Sequence, residues 1–154
     1  MISSNNPNLK IRSGNRKRKE NTRDERVTYK VGETEHLLIS FKYLDESQVP
    51  PGQTVQEWQK EGLLAPFVKD LMYLCGGTIA EALNKEKLKI YKSFPSKRSK
   101  FRYPSRVKGD VKWAVIRNIK GQKHRVAGFI ENNIFYVVFL DSEHLFYLSQ
   151  KSHT

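Results

Sequence analysis

The sequence predicts an α+β domain, a small antiparallel β-sheet with helices packed on one face, behind a basic disordered arm. Three observations predict it. In His124–Tyr147, two runs rich in β-branched and aromatic residues flank Asn132-Asn133, a pair that tolerates positive φ; this is the pattern of a β-hairpin. Thr54-Val-Gln-Glu57 and Thr78-Ile-Ala-Glu81 are capping boxes, each at the head of an apolar segment with helical spacing. Residues 1–27 are Asn/Ser-rich and then basic, with few side chains to bury, so the domain is placed at 28–154.

Within the domain, Leu37–Leu44 alternates Leu37, Ile39, Phe41 and Tyr43 on one side and predicts a first strand. Val49–Gln53 (VPPGQ) breaks it. A helix starts at Thr54 with Val55 and Trp58 inward. Gly62 interrupts it, and Pro66 suits the first turn of a continuation carrying Leu64, Phe67, Val68, Leu71, Met72 and Cys75 as core. Gly76-Gly77 ends that helix. The second capping box opens another, with Ile79, Leu83 and Leu88 inward. Ser93–Arg106 (SFPSKRSKFRYPSR) is a basic, Pro-broken loop with aromatics among the cations. Trp113–Ile119 alternates again as a strand, Gly121 marks a turn, and the hairpin and a short tail follow.

Length and composition bound the function. A chain of 154 residues fits one domain. It has no run of about 18 or more apolar residues to span a membrane, and no apolar core of a secretory signal near Met1. Cys75 is the single cysteine, so an intramolecular disulfide or Cys-based zinc site is excluded, and a cytoplasmic location is expected. His36, His124, His144 and His153 show no ligand spacing; no metal or cofactor is expected.

The net charge of +12 is unevenly placed. Lys85–Arg125 holds fifteen Lys/Arg against two acids, and Met1–Arg26 eight against three. Blocks of this kind attract polyanions by counterion release. Lys97, Arg98, Lys100 and Arg102 in the loop, with Lys123 and His124 at the hairpin entrance, are the expected RNA-contacting cations. The arm could be an RNA-binding segment, a regulatory tail or a solubilising leader.

A two-residue turn at Asn132-Asn133 sets Gly128 opposite Val137, Arg125 opposite Leu140 and His124 opposite Asp141. It puts Val126, Gly128, Ile130, Phe135, Val137 and Phe139 on the helix-covered face. Arg125, Ala127, Phe129, Tyr136, Val138 and Leu140 share the other. Arg125, His144 and Tyr147 then gather at one edge, around a scissile phosphate. Metal-free RNA cleavage needs a base for the 2′-hydroxyl, a cation for the phosphorane and an acid for the leaving 5′-oxygen. Histidine titrates near neutrality, and the arginine fork binds two phosphate oxygens. The plainer alternatives are a His124–Asp141 cross-strand salt bridge, a solvated His144 and a core-edge Tyr147.

On these residues the chain resembles the RelE/ParE toxin superfamily. The resemblance runs over roughly 37–147: LLISFKYL, the helices from Thr54, Trp113–Ile119, then HRVAGFIENNIFYVVFLDSEHLFY. Arg125 stands where members have an arginine opening the strand before the hairpin turn. His144 and Tyr147 stand where YafQ-like members carry a basic or histidine residue and then an aromatic. Lys112 and Arg117 match basic positions of the preceding strand. The loop 93–106 and the arm are additions to the family pattern. The resemblance implies the toxin of a toxin–antitoxin system, a metal-independent, ribosome-dependent endoribonuclease that cleaves mRNA to a 2′,3′-cyclic phosphate and is neutralised by a cognate antitoxin protein. Two alternatives stay open: a non-catalytic nucleic-acid-binding module, and a ParE-like gyrase inhibitor.

Overall fold

The computed structural model describes residues 35–149. The predicted arm, and the predicted domain's residues 28–34 and 150–154, lie outside the described residues. Eight elements are formed: β1 (Leu38–Ser40), α1 (Val55–Lys60), α2 (Leu64–Cys75), α3 (Ile79–Asn84), β2 (Leu88–Ile90), β3 (Lys112–Ile116), β4 (Arg125–Glu131) and β5 (Ile134–Asp141), with one 3₁₀ turn at Ser96–Arg98. The strands form one open sheet in the order β1-β5-β4-β3-β2.

The sheet is mixed, where antiparallel pairing was expected. β2 to β5 form an antiparallel meander, and β1 runs parallel to β5, with Leu38 beside Ile134. A parallel neighbour needs a long connection. All three helices and the rest of the meander provide it.

Both capping boxes form as the sequence predicts. Thr54 Oγ1 accepts from the Glu57 amide at 3.0 Å, and the Glu57 carboxylate accepts from the Thr54 amide at 2.9 Å. Thr78 and Glu81 repeat this arrangement. α2 departs from its predicted face. Its apolar residues form two adjoining stripes, and the sheet takes the one built from Phe67, Leu71 and Leu74. Val68 and Met72 are left exposed, Met72 at 70%, and Cys75 is half-buried. In α3 the buried residues are Ile79 and Ala82; Leu83 is exposed, and Leu88 reaches the core from β2 rather than from a helix. β1 is shorter than predicted: the chain turns after Ser40, leaving Phe41 exposed and sending Tyr43 to the opposite face of the sheet.

Each face of the sheet carries a core. On the helix side, Trp58, Phe67 and Leu71 pack with Ile116, Ile130, Phe135 and Leu140. On the other side, Trp113, Phe129, Val138 and Phe139 are covered by Phe94, Phe101, Val107 and Phe146. The basic loop is therefore a cover. Phe94 and Phe101 turn inward, Phe94 edge-on to Trp113 and Phe101 stacked on Phe139, while Lys97, Lys100, Arg102 and Tyr103 stay exposed.

The hairpin begins in the predicted register and then shifts. Asn132 takes φ +57°, Glu131 pairs with Ile134, and Gly128 pairs with Val137. Beyond that point Val138 is an extra residue, so Ala127 pairs with Phe139, Val126 with Leu140 and Arg125 with Asp141. The bulge corrects the predicted partners: Arg125 faces Asp141 instead of Leu140, and His124 loses Asp141. It also exchanges faces, Phe139 joining the aromatic layer and Leu140 the helix side. Gly128 permits this geometry, because a Cβ there would lie 1.9 Å from the Tyr136 carbonyl oxygen. Gly128→Ala must therefore displace backbone. We expect it to lose about 3 kcal/mol, at the upper end for overpacking, measured by urea unfolding.

Candidate phosphate and nucleobase site

The bulge places a row of charged residues on the sheet face away from the helices. Arg125 opens β4 opposite Asp141. Arg117 follows Ile116, whose partner is Val126, so it continues the register toward Arg125. The Arg125 guanidinium is half-buried. Burial and the Arg117 charge both pull its pKa down, while Tyr91 and Asp141 oppose the shift. An arginine stays charged at neutral pH regardless. One terminal nitrogen donates to the Gln122 carbonyl at 3.3 Å, whereas the buried Nε has no hydrogen-bond partner.

Asp141 does not neutralise this cation by an ion pair. Among the described residues the ion pairs are Lys87–Asp70, Arg117–Glu86 and Lys123–Glu143. The fully buried Asp141 carboxylate instead accepts the Leu145 amide at 2.8 and 2.9 Å and the Phe146 amide at 2.8 Å. Burial raises its pKa, and the Leu145 and Phe146 amides, then Arg125, pull against that rise. These bonds fold the chain after β5 into a turn in which His144 takes φ +61°. A non-glycine residue in that region costs roughly 1–2 kcal/mol, so the turn holds His144 against its own preference. Asp141→Asn replaces an acceptor oxygen with a donor facing backbone amides. We expect about 2 kcal/mol of destabilisation, the cost of leaving a buried donor unsatisfied, read as a lowered thermal midpoint.

His144 is half-buried. Burial first, and then the Arg125 charge, lowers its pKa below the ordinary 6.5, so the ring is predominantly neutral at pH 7. Tyr147 lies face to face with Tyr91, ring centroids 4.5 Å apart and planes within 7°. Arg98 sits over the Tyr147 ring at 5.4 Å and donates to its hydroxyl at 3.2 Å. Lys89 sits over the Tyr91 ring at 5.5 Å. Burial raises the Tyr91 pKa, against the pull of Arg125 and Arg117. Its phenol is protonated at neutral pH.

The structure thus brings Arg125, His144, Tyr147, Arg98 and Arg117 together, and adds Lys89 and Tyr91, which the sequence reading missed. Both missed residues belong to Leu88-Lys-Ile-Tyr91, an alternating run that could have been recognised as a strand. Other predicted cations lie elsewhere. Lys112 is at the opposite end of β3, across from Ile130. Lys123 is paired with Glu143 at 2.7 Å. His124 Nδ1 lies 3.0 Å from the Ser142 carbonyl oxygen, so the predicted His124–Asp141 bridge is replaced by this contact. The Arg102 backbone is pinned at both ends by the Gln48 side chain. Lys100 ties the loop to the tail through its amide and the Leu145 carbonyl at 3.0 Å, with its side chain exposed. Lys97 is exposed on the 3₁₀ turn beside Arg98.

Among the described residues, no group of three His, Cys, Asp or Glu side chains could hold a metal ion, and no helix is long and apolar enough to cross a membrane. Comparison with protein-family models, curated protein sequences and solved structures gives no match.

Proposed function

We propose that this chain is a metal-independent endoribonuclease of RelE type, the toxin of a toxin–antitoxin pair, which cleaves mRNA to a 2′,3′-cyclic phosphate. The observation that carries the reading is Arg125: a half-buried guanidinium beside a second arginine, outside any ion pair among the described residues, with a buried Nε that has no partner. A phosphodiester supplies what such a site lacks, anionic oxygens that accept from a planar fork.

The chemistry follows from the neighbours. His144, neutral at pH 7, takes the proton of a 2′-hydroxyl. The 2′-oxygen attacks the adjacent phosphorus, and Arg125 and Arg117 hold the non-bridging oxygens as charge builds on the phosphorane. The P–O5′ bond breaks, and Tyr147 is the candidate proton donor to the leaving 5′-oxygen. The products are a 2′,3′-cyclic phosphate and a 5′-hydroxyl end. Use of the ribosome and control by an antitoxin protein rest on the family resemblance.

Binding is tested by the salt dependence of affinity for single-stranded RNA. For the full chain, log Kd should rise linearly with log salt. Lys89→Ala and Arg117→Ala should each flatten the slope by about 0.7, one phosphate contact on a single strand. A salt-independent affinity, or slopes that neither variant changes, would remove the phosphate reading.

A further inference from the structure

We infer that Gln53 is a positioning residue of the Arg125 site, which ties the turn carrying His144 to the core through Ser142 and Trp58. This rests on the cleavage reading above for what His144 does, and adds to it what holds His144 in place.

Asp141, Ser142 and Glu143 precede His144, and each is anchored differently. The Asp141 carboxylate accepts from the Leu145 and Phe146 amides, so it shapes the turn from within. Glu143 pairs with Lys123 at 2.7 Å, but both side chains are more than half exposed, and an ion pair of that kind contributes little. Ser142 is buried and held by both of its main-chain groups. Its carbonyl oxygen lies 3.0 Å from His124 Nδ1. Its amide, the first beyond β5, donates to Gln53 Oε1 at 2.7 Å.

Gln53 is brought there by the path of its own chain. β1 pairs with β5 only as far as Tyr136. Past that point the segment after β1 takes the outer edge of β5. The Asp45 amide donates to the Val138 carbonyl at 2.8 Å, and the Gln53 amide donates to the Leu140 carbonyl at 3.1 Å. The second of these bonds sets the Gln53 side chain beside the end of the strand. Two donors then converge on its Oε1, the Ser142 amide and the Trp58 indole Nε1, the latter at 2.9 Å. An amide oxygen has two lone pairs, and both are used. The other end of the side chain is fixed as well, since Nε2 donates to the Pro51 carbonyl at 3.1 Å. Trp58 is fully buried and packs edge-on against Phe67 at 5.6 Å. One oxygen therefore joins the helix-side core to the residue two before His144. An apolar side chain of similar length would leave both N–H groups without an acceptor, and the turn would have to move outward to hydrate the Ser142 amide.

The test is the His144 pKa, followed by NMR of the imidazole signals in the full chain, with His144→Asn assigning the resonance. Burial and the Arg125 charge hold that pKa below 6.5, and both causes weaken if the turn moves outward. Gln53→Met should therefore raise it toward 6.5. Gln48→Met is the control, because Gln48 is buried and bonds both main-chain groups of Arg102, away from the turn. It should lower the thermal midpoint and leave the His144 pKa in place. In single-turnover assays Gln53→Met should cut RNA about 10²-fold more slowly with unchanged RNA affinity, the size associated with a misplacement of about 1 Å. An unmoved His144 pKa in folded Gln53→Met, or an equal shift in Gln48→Met, would overturn the assignment and leave the cleavage reading standing. A pKa that moves as stated in a chain that cuts no RNA would keep the anchor and remove the cleavage reading. Should Gln53→Met not fold, hydrogen exchange on the unaltered chain decides. The Ser142 amide should be as protected as the strand amides of β5, and exchange at the rate of an exposed amide would overturn the proposal.

Discussion

Arg125→Ala is expected to slow RNA cleavage by about 10²–10³-fold in single-turnover assays on programmed ribosomes, the size associated with losing one preorganised charge-stabilising donor. The guanidinium is held by burial and by the Gln122 carbonyl before any substrate arrives, so little reorganisation is left for the reaction. Substrate binding should fall less than the rate, because Arg117, Lys89 and Arg98 remain to hold the strand. Arg125→Lys keeps the charge and loses the fork, and should recover part of the rate. The fold should tolerate the alanine: its loss removes repulsion with Arg117 at one side and attraction to Asp141 at the other. An unchanged rate in a folded Arg125→Ala would remove this residue from the mechanism.

His144→Asn should cost about 10²–10⁴-fold, the usual contribution of a general acid or base. Asparagine suits this position, because it accepts positive φ more readily than most residues. The turn and the Asp141 bonds should survive, and the imidazole alone is removed. The pH profile supplies the sign. Burial and Arg125 lower the His144 pKa, so the neutral base persists to pH values below 6.5. The unaltered chain should therefore keep its rate as pH falls to about 6.5 and lose it only further down. In the residual activity of Arg125→Ala, one of the two causes of the lowered pKa is gone, so that acid limb should move to higher pH. In His144→Asn it should disappear. A limb that stays in place in both variants would assign it to another group.

How much of this was legible in the sequence depends on how local each signal was. The Thr-x-x-Glu caps and the Asn132-Asn133 turn are written within four residues, and both form as read. The bulge at Val138 is not local. It depends on Gly128 meeting the Tyr136 carbonyl across the hairpin, and alternation alone carries no sign of it. That one residue decides whether Arg125 faces a leucine or a carboxylate. β2 was lost because it has three residues and directly follows a lysine-rich helix end, and Lys89 and Tyr91 were lost with it. The parallel pairing of β1 is a property of the assembled sheet, absent from LLISFKYL itself.

The basic loop shows the same division. Its composition marked the cations, and it also contained the aromatics that seal the second face of the sheet. Which residue type turns inward follows from the apolar surface of β3 to β5 lying beneath it. Among the predicted RNA contacts, Arg98 and Arg117 reach the Arg125 region because their elements end there. Lys112 begins the strand that Arg117 follows, and so lies at the far end.

Cleavage of RNA at the Arg125–His144 site is the step on which the proposed function depends. Its most direct test is to induce the chain in cells and map new mRNA ends, with translation running and with translation blocked. New 5′-hydroxyl ends opposite 2′,3′-cyclic phosphates are expected when the unaltered chain is made during translation, and their loss when translation is blocked or when Arg125→Ala or His144→Asn is made instead. Absence of new ends from the unaltered, folded chain, or the same ends from both variants, would contradict it.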